Sequence, residues 1–297
     1  MAEARHLVGI DDLGDNAIRA LLDRALALAR GAAPQRLEAS TRTRVSFELA
    51  AHRLSMQVIN IELDRSSSTK GETLEDTVAT LAAMGLDCLV VRHPQTGRVA
   101  ELARAFPDGP ALLNGGDGSG EHPSQALLDA ATLESSGLTW SESTIAVVGD
   151  VRHSRVARSG LKLFARLGAG GLRVAGPPEL MPERLDDASI ECCGSLEEAV
   201  RGADVVMMLR VQRERMDAAG WPDATDYHPV WGLRQEHLAL AAPGCRVMHP
   251  GPLNRGVEIS PEVADGSRSL ILEQVRMGVH LRTALFEWLL GDRTPLR

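Results

Sequence analysis

Short apolar runs alternate with amphipathic segments along most of the chain. Short, mainly apolar runs, which are typical of buried strands, lie at 57–62, 87–91, 111–113, 144–148, 171–175, 204–209 and 245–248. Apolar residues spaced three and four apart, which are typical of helices, lie at 15–30, 41–54, 72–84, 97–105, 122–135, 154–167, 195–201 and 271–290. Strands that alternate with helices predict parallel sheets covered by helices. We therefore expect an α/β protein of two lobes, each a parallel sheet flanked by helices.

Three stretches show no such pattern. The glycine-rich run at 114–120 predicts a flexible loop after the third strand of the first lobe. Residues 216–233 are rich in Pro and Trp, which predicts an irregular segment and a candidate lid over a substrate. Residues 31–39 form a short polar connection that contains a proline.

Composition narrows the classes of function. The net charge of −8 argues against general binding to nucleic acids or to anionic membranes. No apolar run is long enough to span a bilayer, and the first residues lack a secretory signal. The four cysteines match no zinc-binding spacing, so we interpret them as reduced thiols of a cytoplasmic protein. No metal and no cofactor are expected.

One polar cluster opens the helix at 41–54. Ser40, Thr41, Arg42, Thr43 and Arg44 place two guanidiniums and several hydroxyls at the helix N-terminus. Free backbone N–H groups and the helix dipole favour a phosphate at such a position. The alternative is a capped helix with a solvated basic first turn.

Further polar residues follow the predicted strands or open the predicted helices. They are Ser66, Lys70, Arg92, His122 and Gln125 in the first lobe, and Arg155, Arg210 and Gln212 in the second. Open α/β sheets bind ligands at the carboxyl ends of their strands. Arginine and lysine suit a phosphate, and separated guanidiniums suit a substrate with two carboxylates.

Each of these residues also has a purely structural interpretation. Lys70 alone would be a solvated loop lysine, His122 a helix cap, and Arg210 a partner of Glu214 one turn away. The sequence contains neither a phosphate-binding loop of the Walker type nor a serine nucleophile motif. Gly149-Asp150 follows a strand, but the glycine pattern of a dinucleotide site is absent.

Five motifs resemble those of the aspartate/ornithine carbamoyltransferase family, in the same order along the chain. They are Ser40-Thr41-Arg42-Thr43-Arg44, Ser66 to Lys70-Gly71-Glu72-Thr73, Arg92-His93-Pro94, His122-Pro123-Ser124-Gln125 and Arg210-Val211-Gln212. His249-Pro250-Gly251-Pro252 stands where the ornithine branch has His-Cys-Leu-Pro, which favours the aspartate branch. The resemblance implies carbamoyl transfer from carbamoyl phosphate to L-aspartate, a step of pyrimidine biosynthesis.

The resemblance also implies roles for individual residues. Ser40, Thr41, Arg42 and Thr43 would bind the phosphate, and Thr43, Arg92 and His122 would polarise the carbonyl oxygen. Gln125 and the backbone of Gly251, Pro252 and Leu253 would hold the carbamoyl NH₂. Arg155 would bind the α-carboxylate of aspartate, and Arg210 with Gln212 the β-carboxylate. Glu38 would pair with Arg155 and Arg215 when the lobes close.

The family also suggests an assembly and domain limits. Ser66 and Lys70 would reach into the site of a neighbouring subunit of a homotrimer. A regulatory chain or a dihydroorotase-like protein is a candidate further partner. The carbamoyl-phosphate-binding domain would span 1–135 and the aspartate-binding domain 136–270. The C-terminal helix, about 271–297, would pack back on the first lobe.

One departure from the family concerns the segment before the phosphate motif. The family has an apolar strand there, whereas 31–39 offers little that would make a buried strand. We therefore predict that the first sheet lacks a strand. Two alternatives to an active aspartate enzyme follow: a non-catalytic structural or carbamoyl-phosphate-binding homologue, or a carbamoyltransferase for another amine.

Overall fold

The computed structural model describes residues 6–30, 42–61, 73–185, 187–211 and 224–291. Its helices are α1 Asp15–Arg30, α2 Arg42–Arg53, α3 Leu74–Ala83, α4 Arg98–Ala105, α5 Pro123–Ser135, α6 Arg155–Arg166, α7 Leu196–Val200, α8 Ala224–Trp231, α9 Gln235–Leu238, α10 Pro261–Ala264 and α11 Ile271–Leu290. Its strands are β1 Cys88–His93, β2 Ala111–Asp117, β3 Thr144–Val148, β4 Gly171–Ala175, β5 Glu191–Cys192, β6 Val205–Met208 and β7 Arg246–Met248. None of the described helices is both long and apolar enough to cross a membrane.

The chain divides into two compact units, Met1–Leu127 with Met277–Arg297, and Leu128–Arg276. In the first unit, β1 and β2 pair in parallel, with Cys88 opposite Ala111. Leu7 forms a further parallel bridge to Leu113 at the other side of β2. Val78 of α3 and two residues of α4 cover this small sheet with apolar side chains.

The C-terminal helix completes the first unit, as expected. The ring of Phe286 in α11 meets that of Phe47 in α2, with centroids 5.7 Å apart. Arg53 at the end of α2 hydrogen bonds His280 of α11 at 3.1 Å. Arg24 of α1 forms an ion pair with Glu287 at 2.7 Å. Residues more than two hundred positions apart thus hold α1 and α2 on this helix.

The second unit is built on a five-stranded parallel sheet in the order β5-β4-β3-β6-β7. Its central strand β3 is buried over Ile145–Val148, as its uninterrupted apolar run predicts. Leu196, Ala199 and Val200 of α7 pack into the same core. Both units have parallel sheets flanked by helices, so the predicted α/β class is confirmed.

The predicted strand at 57–62 is wrong over its described part, because 57–61 belong to no ladder among the described residues. Ile59 is 73% exposed and Ile61 is 41% exposed. An extended segment becomes a strand only when a neighbour pairs with its backbone. The run therefore has the composition of a strand without a described pairing partner.

Two other expectations need correction. The glycine-rich stretch after the third strand is not a flexible loop at its start, since β2 continues to Asp117 and is buried throughout. Within the segment predicted to be irregular, Ala224–Trp231 is helical despite Pro229. Buried Tyr227 and partly buried Trp231, four residues apart, pack against a small apolar cluster around Val257, which stabilises this turn of helix. The lid residues 216–223 lie outside the described residues.

Candidate functional site

The helix N-terminus expected to bind an anion is present in the first unit. α2 begins at Arg42, whose side chain is not among those described, and Thr43 is the second residue of this helix. The Arg92 guanidinium donates to Thr43 Oγ1 at 3.4 Å. This contact joins a residue near the carboxyl end of β1 to the first turn of α2.

Desolvation lowers the pKa of the Arg92 guanidinium from its usual value. Arginine nevertheless stays protonated at neutral pH, because its usual pKa is far above that range. The residue is nevertheless exposed to solvent, so its guanidinium is accessible to an anion. Arg92 therefore suits an oxyanion or a phosphate beside the hydroxyl of Thr43.

His122 and Gln125 lie at the start of α5, which follows the strand β2. Both side chains are buried. Ser124 Oγ lies 3.4 Å from His122 Nδ1, and the Gln125 N–H donates to the His122 carbonyl at 2.9 Å. Because β1 and β2 are parallel neighbours, Arg92 near the end of β1 and His122 after β2 both come at the carboxyl ends of the strands.

A buried hydrogen-bond network, which the sequence did not predict, fixes the backbone before His122. Asn114 Nδ2 donates to Asp117 Oδ1 at 3.2 Å and to the Glu121 carbonyl at 3.2 Å. Asp117 accepts the N–H groups of Glu121 and Gly97, both at 2.8 Å. Asn and Asp side chains that bond nearby backbone groups are the usual sign of such a turn. The network holds the residue that leads into α5.

In the second unit, the expected acceptor residues follow three adjacent strands. Arg155 opens α6 after β3, and the side chain of Ser154 caps that helix by accepting the Ala157 N–H at 3.1 Å. Arg210 follows β6. The turn that contains Gly251, Pro252 and Leu253 follows β7 and has a cis Gly251–Pro252 peptide bond.

One hydrogen bond links two of these groups. Asn254 Nδ2 donates to the Val211 carbonyl at 3.0 Å, which places the turn after β7 beside the residues after β6. The strand order β3-β6-β7 brings all three loops to one edge of the sheet. Such an edge, with two guanidiniums, suits a dicarboxylate.

Several predicted site residues lie outside the described residues. They are Ser40, Thr41, Ser66, Lys70 and Gln212, together with the proposed pairing residues Glu38 and Arg215. The structure thus brings Thr43 to Arg92 in one unit, and Arg210-Val211 to the turn around Pro252 in the other.

One group among the described residues has metal-ligand geometry. The ligand atoms of Glu191, Cys193 and Glu198 lie within 4.8 Å of one another. Glu191 already pairs with Arg173 at 3.0 Å, and Glu198 accepts the Gly194 N–H at 2.6 Å. We therefore assign these carboxylates to the local structure around β5.

Family models match both halves of the chain. Residues 5–135 match the carbamoyl-phosphate-binding domain of aspartate/ornithine carbamoyltransferases, and residues 141–289 match the Asp/Orn-binding domain.

Curated relatives cover nearly the whole chain. The aspartate carbamoyltransferase catalytic subunit of Xanthomonas euvesicatoria is 46% identical, over 97% of this chain and 96% of the relative. That of Gluconacetobacter diazotrophicus is 47% identical, over 98% and 95% respectively. The first alignment spans 307 positions, more than the 297 residues of this chain, so the relative has residues without a counterpart here.

Solved structures agree with the sequence comparisons. Aspartate transcarbamoylase from Trypanosoma cruzi, in complex with N-(phosphonacetyl)-L-aspartic acid, is 32% identical with a TM-score of 0.83, over 96% of this chain and 95% of that chain. The ligand-free form of the same enzyme is 29% identical with a TM-score of 0.78, over the same shares. The chain therefore belongs to the aspartate/ornithine carbamoyltransferase family.

Proposed function

We propose that this protein transfers the carbamoyl group of carbamoyl phosphate to the amino group of L-aspartate, giving N-carbamoyl-L-aspartate and phosphate. The observation that carries the proposal is the hydrogen bond between Arg92 and Thr43 at the N-terminus of α2. It brings a guanidinium and a hydroxyl together within the region that matches the carbamoyl-phosphate-binding domain, which supports an anion site there. Relatives named as aspartate carbamoyltransferase catalytic subunits support the choice of acceptor.

The first unit supplies the groups for carbamoyl phosphate. The phosphate would lie at the first turn of α2, where Ser40, Thr41, Arg42 and Thr43 offer hydroxyls, N–H groups and a guanidinium. Arg92 and His122 would donate to the carbonyl oxygen as negative charge develops on it, which is the task of an oxyanion hole. Gln125 would accept a hydrogen bond from the carbamoyl NH₂.

The second unit supplies the groups for aspartate. Arg155 would bind the α-carboxylate, and Arg210 with Gln212 the β-carboxylate, because fork-like guanidinium donors match carboxylate oxygens. Backbone groups of Gly251, Pro252 and Leu253 would bind the carbamoyl NH₂ together with Gln125.

The chemistry then needs no covalent bond to the protein. The neutral amine of aspartate attacks the carbonyl carbon, and the C–N bond forms as the carbonyl oxygen gains negative charge. The carbon–oxygen bond to phosphate then breaks, and the amine proton leaves with the phosphate. The residues contribute by positioning the reactants and by stabilising the charge, which accounts for large rate enhancements in such reactions.

A comparison of two acceptors tests the proposal. The purified protein with carbamoyl phosphate should form a carbamoylated product with L-aspartate and none with L-ornithine. Arg155→Ala and Arg210→Ala should raise the half-saturating aspartate concentration much more than that of carbamoyl phosphate. Arg173→Ala is the matched control, because Arg173 of β4 pairs with Glu191 of β5, away from β6 and β7. It should leave both half-saturating concentrations unchanged. Turnover with ornithine instead would overturn the choice of acceptor.

We also propose a homotrimer in the cytoplasm, in which Ser66 and Lys70 serve the site of a neighbouring subunit. The support is family membership and, for the location, the four free thiols. Lys70→Ala and Arg92→Ala should each lose most of their activity. Subunits of the two variants, dissociated and reassembled together, should regain activity in mixed trimers. Sedimentation of a monomer, or no recovery in mixed assemblies, would contradict this arrangement.

A non-catalytic homologue is the second candidate, and one observation favours it. The segment 57–61 has strand composition but belongs to no ladder among the described residues, and Ile59 is largely exposed. This is what the loss of a neighbouring strand would produce. The segment 31–39, where that strand would lie, is outside the described residues. Binding of carbamoyl phosphate without turnover on any amine would select this candidate.

A further inference from the structure

A buried histidine and glutamate lie directly beneath the turn after β7, and the roles assigned above do not use them. His249 is 1% exposed and Glu258 is 0% exposed. His249 Nε2 lies 3.2 Å from Glu258 Oε1. Burying two such polar side chains is costly unless each finds partners, so their bonds need an explanation.

The hydrogen bonds fix which ring nitrogen carries the proton. The Gly251 N–H donates to His249 Nδ1 at 2.8 Å. A backbone N–H can only donate, so Nδ1 must accept and carries no proton. In the neutral ring the proton then lies on Nε2, from which it is donated to Glu258 Oε1. Glu258 thus holds the one tautomer that can bind Gly251.

The glutamate also binds the far end of the same turn. The Asn254 N–H donates to Glu258 Oε1, the atom that accepts the imidazole proton. Gly251 and Asn254 are therefore both tied to the His249–Glu258 pair. The two residues between them, Pro252 and Leu253, are the part of the turn proposed to contact the carbamoyl group.

The backbone of His249 is held by a second pair of buried polar side chains. Its N–H donates to Gln274 Oε1 at 3.0 Å, and Gln274 Nε2 donates to Asp129 Oδ1 at 2.7 Å. Both of these partners are buried as well. With its ring nitrogens engaged with Gly251 and Glu258, His249 has no nitrogen left to exchange a proton with a substrate. Its role is therefore to place the turn rather than to act as an acid or a base.

We infer that His249 is a positioning residue, which holds the 251–254 turn in place for the carbamoyl group while Glu258 fixes its tautomer. The inference rests on the proposed function, because that function assigns Gly251, Pro252 and Leu253 to the substrate. The inference is supported by one arrangement: the buried His249 imidazole lies between the Gly251 N–H and the Glu258 carboxylate, which also accepts the Asn254 N–H.

Two substitutions separate positioning from general packing. In His249→Asn, the side-chain oxygen can take the place of Nδ1 and still accept the Gly251 N–H. In His249→Gln, the amide nitrogen can take the place of Nε2 and still donate to Glu258, but nothing accepts from Gly251. Each variant thus keeps one of the two ring hydrogen bonds, and a similar loss of thermal stability is expected in both.

Activity should distinguish the variants. We expect His249→Asn to keep kcat/KM for carbamoyl phosphate within about fivefold of the unmodified protein and His249→Gln to lose about a hundredfold, the usual cost of a group misplaced by about 1 Å. Glu258→Gln, whose amide oxygen can still accept both donors, should resemble His249→Asn. Hydrogen exchange at the Gly251 amide should be slow in His249→Asn and fast in His249→Gln.

The results distinguish a failure of the positioning role from a failure of the proposed function. Equal activity losses in His249→Asn and His249→Gln would overturn the positioning role, as would equally fast exchange at Gly251 in both. If the unmodified protein forms no carbamoylated product although Gly251 is protected, the proposed function fails and the assignment of the turn to the carbamoyl group fails with it.

Discussion

The contact between α2 and α11 leads to a quantitative prediction about the phosphate site. Phe47 follows Thr43 by one helical turn, and its ring meets Phe286 edge to face, with the planes inclined by 64°. The guanidinium carbon of Arg282 lies 4.8 Å from the centre of the Phe47 ring. Phe47 therefore contributes two ring contacts between the helix that presents the phosphate-binding donors and the C-terminal helix, in addition to the Arg53–His280 hydrogen bond.

Phe47→Leu keeps an apolar side chain and removes both ring contacts. An edge-to-face pair contributes about 0.5–1.5 kcal/mol, and a cation above a ring contributes about 0.5–2 kcal/mol. We therefore expect the free energy of unfolding of the first unit to fall by about 2 kcal/mol, the sum of mid-range values. The half-saturating concentration of carbamoyl phosphate should rise too, because the first turn of α2 loses its support.

Urea denaturation of Phe47→Leu, Phe286→Leu and the double variant isolates the ring pair. The double-mutant cycle should give a coupling energy of about 1 kcal/mol, since the two rings are in contact. Phe164→Leu is the matched control, because it removes a stacked contact with Trp140 in the other unit. It should lower stability and leave carbamoyl phosphate saturation unchanged. Strictly additive losses for Phe47 and Phe286 would refute the assigned contact.

Three further predictions concern the oxyanion donor, the backbone before His122 and the buried tyrosine. Arg92→Ala should lower kcat by about a hundredfold or more, as the loss of an oxyanion donor does. The control Arg98→Ala, which breaks ion pairs with Glu75 and Glu101, should leave kcat unchanged. Equal effects of the two variants in a steady-state assay would contradict the role of Arg92. Gly118→Ala should lower both stability and kcat, because the φ angle of Gly118 is +45° and an added Cβ would collide with Thr96. A variant with unchanged stability and kcat would exclude strain in the backbone before His122. Burial raises the pKa of Tyr227, the one tyrosine of the chain, so the free energy of unfolding should hold up to about pH 10, the usual tyrosine pKa, and fall above it. Ultraviolet titration should show tyrosinate only on unfolding. A midpoint near pH 10 in the folded protein would contradict the assigned burial.

The sequence predicted the second sheet almost completely. Thr144–Val148 and Gly171–Ala175 are strands at the predicted residues, because short, mainly apolar runs are typical of buried parallel strands. Helix α1 also has its predicted bounds, since its apolar face follows the helical period over four turns. These elements depend on local pattern alone.

The errors have a different origin, because each depends on contacts distant in sequence. The run at 57–61 has strand composition but no described partner, and pairing cannot be inferred from composition. Asn114 looks like a loop residue, yet its side chain is buried and hydrogen bonded to Val8 and Asp117. Tyr227 lies in a helix because the cluster around Val257 stabilises it against the effect of Pro229.

The site could be predicted in its residue types but not in its supports. Thr43 and Arg92, forty-nine positions apart, are brought together by the fold as the resemblance implies. The roles of Gly251, Pro252 and Leu253 stay predictions from the family. His249 and Glu258, which hold that turn, carried no separate signal, because polar residues in a segment after a strand are usually exposed and their pairing is evident only once their burial is known.

The most direct test of the proposed function follows the carbamoyl group itself. Isotope-labelled carbamoyl phosphate and L-aspartate would be mixed with the purified protein, and the labelled carbon followed by nuclear magnetic resonance. The carbon signal should move to N-carbamoyl-L-aspartate as an equal amount of phosphate is released, and Arg92→Ala should slow this by about a hundredfold. Phosphate release without carbamoylated aspartate, or no reaction from folded protein, would contradict the proposed function.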